Sequence, residues 1–131
     1  MDNKIRLPEN VMAFAHLELQ KMSDEVEGIK AVVLATEDGF DVASVVRDGS
    51  DPSRIAAMAS SISAISTVVS EEAKLGQSKN IIINTVSGFA VMQSIVRDDA
   101  RLVLNAIANE KAVLAHVLYR TSHFANSLTT L

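Results

Sequence analysis

The sequence has no cysteine in its 131 residues, which excludes disulfides, thiolate metal sites and a cysteine nucleophile together. Aromatic residues make up only 4%, so a core must be assembled from the Ile, Val, Leu, Ala and Met that dominate the 48% of hydrophobic residues. Basic residues nowhere cluster, and the net charge of −4 argues against nucleic acid, which selects a surface that neutralises phosphates. Neither G-x-x-x-x-G-K-S/T nor G-x-G-x-x-G occurs, so the chain is not expected to bind a nucleotide by itself. No apolar run reaches the ~20 residues that cross a bilayer. The first residues, Met1 to Pro8, lack the apolar core of an export signal. The expectation is a cytoplasmic protein with one domain over 1–131, residues 1–9 forming a flexible extension, and no cofactor or metal.

What the sequence does contain is a helical pattern without charge from Ile55 to Ser70, bracketed by Arg54 and Glu71. A helix with one face in the core and one in water normally carries Lys and Glu on the wet side. Here Ile55, Met58, Ala59, Ile62, Ile65, Ser66 and Val69 recur at the spacing of a core stripe. Ala57, Ser60, Ser61, Ala64 and Val68 form a second stripe of mostly small side chains. Small residues let two helix axes approach closely, so the second stripe reads as a surface that meets another helix. A solvated Ser/Ala face is the alternative.

The remaining punctuation places the other elements. A first helix runs from about Asn10 to Val26, with Met12, Ala15, Leu19, Met22 and Val26 on one face, and Gly28 stops it. Lys30 to Thr36 and Phe40 to Val46 flank Asp38-Gly39 as a hairpin. Asp51-Pro52 offers an N-cap and a proline at the first helical position of the charge-free helix, which Lys74-Leu75-Gly76 closes. Asn80 to Thr85, Phe89 to Val96 and Arg101 to Ile107 are joined by turns too short for anything but an antiparallel meander. A last helix from about Asn109 presents Leu114, Val117, Leu118, Thr121, Phe124 and Leu128 on one side.

This order, α-β-β-α-β-β-β-α, with Gly28 to Leu34 leading into Asp38-Gly39, Arg54-Ile55-Ala56-Ala57-Met58 opening the long helix and Lys74-Leu75-Gly76 closing it, resembles the roadblock-type dynein light chains and their prokaryotic relatives, including the bacterial MglB-type proteins. The resemblance covers roughly Val26 to Leu128. It implies an α/β (α+β), profilin-like fold, a five-stranded antiparallel sheet with the long helix on one face and the two terminal helices on the other. It also implies a homodimer with the long helices side by side and the third strands paired. The seam would then hold Ala57, Ser60, Ser61, Ala64, Val68 and Glu71 on the helix, and Asn80, Ile81, Ile82, Ile83, Asn84 and Thr85 on the strand.

Candidate chemistry is sparse. His116 and His123 lie a heptad apart on the last helix and His16 on the first, a spacing unsuited to sharing one ion. The turn Arg97-Asp98-Asp99 with Arg101 reads as solvated, and the helix serines have no His or Asp placed to activate them. The resemblance therefore implies a non-catalytic binding module acting with a Ras-like small GTPase, as scaffold or activator, with Arg54, Glu71 and Glu72 as candidate partner-binding residues. Any acceleration would come from repositioning the GTPase's own residues. The alternatives are a structural, dynein-light-chain-like tethering subunit without a GTPase, and a small-molecule sensor, for which the Ala/Ile/Val-rich composition offers no obvious polar anchor. Direct insertion into membranes is not expected.

Overall fold

Eight elements follow one another in the computed structural model, which describes residues 7–131. They are α1 (Glu9–Glu25), β1 (Ile29–Thr36), β2 (Asp41–Val46), α2 (Pro52–Glu72), β3 (Asn80–Thr85), β4 (Gly88–Val96), β5 (Arg101–Asn109) and α3 (Leu114–Thr129). The strands form one sheet in the order β2-β1-β5-β4-β3, every neighbouring pair antiparallel. The layers match the roadblock-like expectation. Of the expected extension, residues 1–6 lie outside the described residues, while Leu7 is buried against the core and Glu9 already belongs to α1.

Alternation along the strands decides which side chain meets which helix. Val32 and Leu34 of β1, Phe89 and Val91 of β4, and Leu102 and Leu104 of β5 face α1 and α3. They pack there with Leu19, Met22, Val117 and Phe124 into the principal core. Ala31, Val33 and Ala35 point the other way, toward Ile55 and Ala56 of α2. A smaller group, Ala59 with Met92 and Val103, continues that contact, joined by the partly buried Ile62 and Ile81.

Local chemistry sets the element ends. Gly28 turns the chain out of α1 with φ +88°, and a Cβ there would lie 2.6 Å from the Ala112 amide nitrogen, so no other residue fits. Asp51 caps α2 by accepting hydrogen bonds from the Ser53 amide at 3.0 Å and the Ser53 hydroxyl at 2.8 Å, with Pro52 opening the helix. At the other end Lys74 is already left-handed (φ 57°), two residues before Gly76 (φ 85°), so the expected Lys74-Leu75-Gly76 segment carries two left-handed residues. The last helix begins at Leu114 rather than near Asn109. Asn109 instead stays in β5, donates its amide to the Gly28 carbonyl at 2.8 Å and accepts the Lys111 amide on its side chain at 2.9 Å, which forms a turn.

The core stripe expected on α2 needs correction. Ile55, Ala59 and Ile62 do face the sheet, but Met58, Ile65 and Val69 are exposed. The helix sits on Ala56 and Ala59, whose small side chains let it approach Val33, Val103 and Met92, and that seating turns the larger residues outward.

Candidate interaction surface

The outward face of α2 carries an apolar stripe. Met58, Ile65 and Val68 are spaced seven and three residues apart, the a/d rhythm of a helix seam. Ile65 is 64% exposed and Val68 63%, values far above those of a side chain that has found its packing partner. Ala57, Ser61 and Ala64 lie exposed beside them, while Ser60 is half-buried because its hydroxyl donates to the Glu37 carbonyl at 2.8 Å. The stripe is more apolar than its small-residue reading from the sequence. The missed signal is the heptad spacing, which the two-stripe division split between faces.

Strand β3 pairs only with β4, so its outer edge presents unpaired backbone groups. Its register places Ile81 and Ile83 on the α2 side and Ile82 on the other, with Ile82 and Ile83 exposed and Ile81 half-buried against the group of Ala59, Met92 and Val103. Asn80, Asn84 and Thr85 are exposed as well. Apolar side chains on both faces of an open edge fit a strand that continues into another sheet. Of the twelve expected seam residues, Ala57, Ser61, Ala64, Val68 and Glu71 are exposed on α2 and Asn80, Ile82, Ile83, Asn84 and Thr85 on β3, while Ser60 and Ile81 are half-buried. Arg54 and Glu71-Glu72 are exposed but sit at opposite ends of α2, about 25 Å apart at 1.5 Å per residue.

Other charged residues are committed elsewhere. Arg97, read from the sequence as part of a solvated turn, has a side chain only 7% exposed. It reaches Asp99 through Nε at 2.8 Å and donates to the backbone carbonyls of Leu128 and Leu131, so it ties the β4–β5 turn to the end of α3. The Asp99 carboxylate is held below its ordinary value chiefly by this guanidinium, and Arg97 is raised in return. Arg120 of α3 pairs with Glu25 of α1 at 3.0 Å. His116 and His123 are exposed, His123 beside the Tyr119 ring with centroids 6.2 Å apart. Among the described residues no three His, Asp or Glu side chains converge as metal ligands, and no helix is long and apolar enough to cross a membrane.

Beneath the second half of α2 lies a cleft of about 590 Å³ between that helix and the sheet. The sequence pattern gave no sign of it, because Ser66 falls in the expected core stripe and periodicity does not show where helix and sheet fail to close. It is the polar lining that the composition had argued against.

The profile of the mitogen-activated protein kinase kinase 1 interacting family matches residues 15–131. No curated relative matches the sequence. Among solved structures, the fold is shared with a Roadblock/LC7 domain from Streptomyces avermitilis (TM-score 0.77, 16% identity, 86% of this chain and 92% of that one). It is shared as well with MglB of Myxococcus xanthus (TM-score 0.81, 16% identity, 95% of this chain and 92% of that one). The gliding protein MglB of Thermus thermophilus superposes with a TM-score of 0.83 at 12% identity, over 99% of this chain and 96% of that one. The chain belongs to the mitogen-activated protein kinase kinase 1 interacting family and is built on the Roadblock/LC7 fold.

Proposed function

We propose that the chain is a non-catalytic homodimeric binding module that regulates or scaffolds a Ras-like small GTPase. The observation that carries the dimer is the exposed stripe of Met58, Ile65 and Val68 beside the open, two-sided apolar edge of β3. Pairing two copies through α2 and β3 would cover both features at once, leaving Arg54 and Glu71-Glu72 as a polar rim around a dry centre. The GTPase partner is supported by the resemblance to MglB-type proteins and by their shared fold. The dimer would present its paired helices to the switch regions, and any gain in hydrolysis would come from ordering residues the GTPase already has.

A tethering subunit without a GTPase is the second reading. The family's description as interacting with a kinase kinase favours it.

The test is capture of a candidate Ras-like GTPase, loaded in turn with GDP and with a GTP analogue, by the wild type and two charge variants. Arg54→Glu is expected to weaken capture while the dimer persists. Asn126→Glu, on the exposed side of α3, is expected to change little. Arg120 is unsuitable as that control because its bridge to Glu25 joins two helices. Capture lost only with Asn126→Glu would move the partner to the α1/α3 face, and no capture in either nucleotide state would leave the tethering reading.

A further inference from the structure

In its second half α2 stands with its hydroxyl side toward the sheet and its aliphatic side outward. Ser63, Ser66 and Ser70 line the cleft, while Met58, Ile65 and Val69 are exposed. A helix alone over a sheet takes the reverse arrangement, with aliphatic residues in the core and hydroxyls in water. The two sets are separated by a rotation of roughly 80° about the helix axis, less than the step of about 100° between neighbouring residues. Such a roll would carry Ile65 and Val69 to where Ser66 and Ser70 now lie, filling the cleft of about 590 Å³, and would turn Ser63 and Ser70 to water. Ile55 and Ile62, which face the sheet already, lie between the two sets and stay inward.

Little holds α2 against such a roll. Its buried side chains are Ile55, Ala56 and Ala59, all in the first half, and among the described residues none of its charges joins an ion pair. The Ser60 hydroxyl donates to the Glu37 carbonyl at 2.8 Å and the Ser66 hydroxyl to that of Ser78 at 2.9 Å, two bonds that water can replace. The connections on either side, residues 47–51 and 73–79, are exposed except at Ser50 and Ser78.

The seat beneath the helix is divided as well. Asn105 of β5 is buried between Val33 of β1 and Met92 of β4, and it parts the apolar contacts of α2 into two groups, Ile55 and Ala56 over β1 and Ala59 over β4 and β5. Its side-chain nitrogen donates to the Val33 carbonyl at 3.2 Å, but its oxygen has no partner among the described residues. A buried acceptor without a donor weakens the packing in which it lies. The opposite face of the sheet carries one continuous core.

From these observations we infer that α2 is an autoinhibitory element: in a free protomer it rolls to bury Met58, Ile65 and Val69 against its own sheet, and a second copy draws it back to the orientation of the structure. The stripe is then core in one state and seam in the other. The sequence pattern, which joins Met58, Ile65 and Val69 to Ile55 and Ile62 on one side, matches the rolled state. Association works against the roll, so the apparent affinity of the dimer is lowered in proportion to the fraction of protomers that display the stripe. This regulation rests on the homodimer reading of the seam.

Because the chain has no cysteine, a single introduced thiol reports its own exposure. Ile65→Cys and Ser70→Cys are each made in the full chain and reacted with iodoacetamide, in a dilution series reaching below the dimer's dissociation constant and in the Ala64→Glu background. Each rate is taken relative to that of the same variant unfolded. In the protomer the Ile65→Cys thiol is expected to react at least tenfold more slowly than the Ser70→Cys thiol. A smaller difference, or faster reaction at position 65, would overturn the roll. The double variant Ser66→Cys/Ser78→Cys, whose parent hydroxyls lie 2.9 Å apart, serves should a single one fail to fold. Oxidised to a disulfide, it holds the orientation of the structure, and its dimer is expected to show a dissociation constant at least tenfold below that of its reduced form by sedimentation. A smaller change would overturn the roll as well. Rapid labelling of Ile65→Cys beside a normal dimer removes the roll alone, whereas a wild type monomeric at every concentration removes the seam itself.

Discussion

Asp51 and Arg97 show how single side chains hold this fold at its joints. The Asp51 carboxylate is drawn below its ordinary value near 3.8, first by the Ser53 hydroxyl and then by the Ser53 amide. A carboxylate whose folded value is lowered stabilises fully above its unfolded value and loses that contribution as the pH falls through the folded one. Thermal melts are therefore expected to lose stability on acidification below about 4, with Asp99 adding to the same slope through Arg97. Asp51→Asn keeps a capping side chain but cannot titrate, so its melts should fall less steeply in acid. A parallel fall in variant and wild type would contradict the cap's role. At the other joint, Arg97→Ala is expected to cost about 1–3 kcal/mol in urea unfolding, since it leaves carbonyls at the end of α3 without their donor. A loss below about 0.5 kcal/mol would mean the contact is no more than a surface ion pair. The cap was legible in the sequence because Asp-Pro-Ser is a local signal. The role of Arg97 was not, because its partner lies 31 residues away and only folding brings it there.

At the level of elements, the same contrast holds. The two hairpins, the meander and the charge-free helix were readable because turn chemistry and periodicity are local. The orientation of α2 was not, since it depends on which sheet residues it meets. Ala56 and Ala59 decide the seating, and they left Met58, Ile65 and Val69 outside, where the sequence pattern had placed them inside. That seating makes the outer stripe more apolar than the small-residue pattern alone. Ala64 lies exposed in the middle of that stripe, so Ala64→Glu is expected to be tolerated by the isolated protomer. In the proposed seam it would bury a carboxylate without a partner, at a cost of several kcal/mol. The variant should therefore remain folded by circular dichroism yet sediment as a smaller species than the wild type. If it sediments as the wild type does, α2 is not the seam.

Across the whole molecule, an apolar protein with few aromatics covers one face of its sheet fully and the other incompletely. The terminal helices close the first face around Leu19, Leu34, Leu104 and Val117. On the second face α2 is alone, a single helix over a five-stranded sheet, leaving β3 with its outer edge open and Ile83 exposed. The layer order was legible through the family resemblance. The location of the incomplete face follows only from the strand order, in which β3 lies at an edge although it is central in the chain. A second copy completing that face is the claim on which the proposed function stands, and sedimentation equilibrium of the wild-type protein at micromolar concentration tests it most directly. A single species of twice the 14.1 kDa chain mass is expected. A species at the chain mass itself, under conditions where the protein is folded, would contradict it.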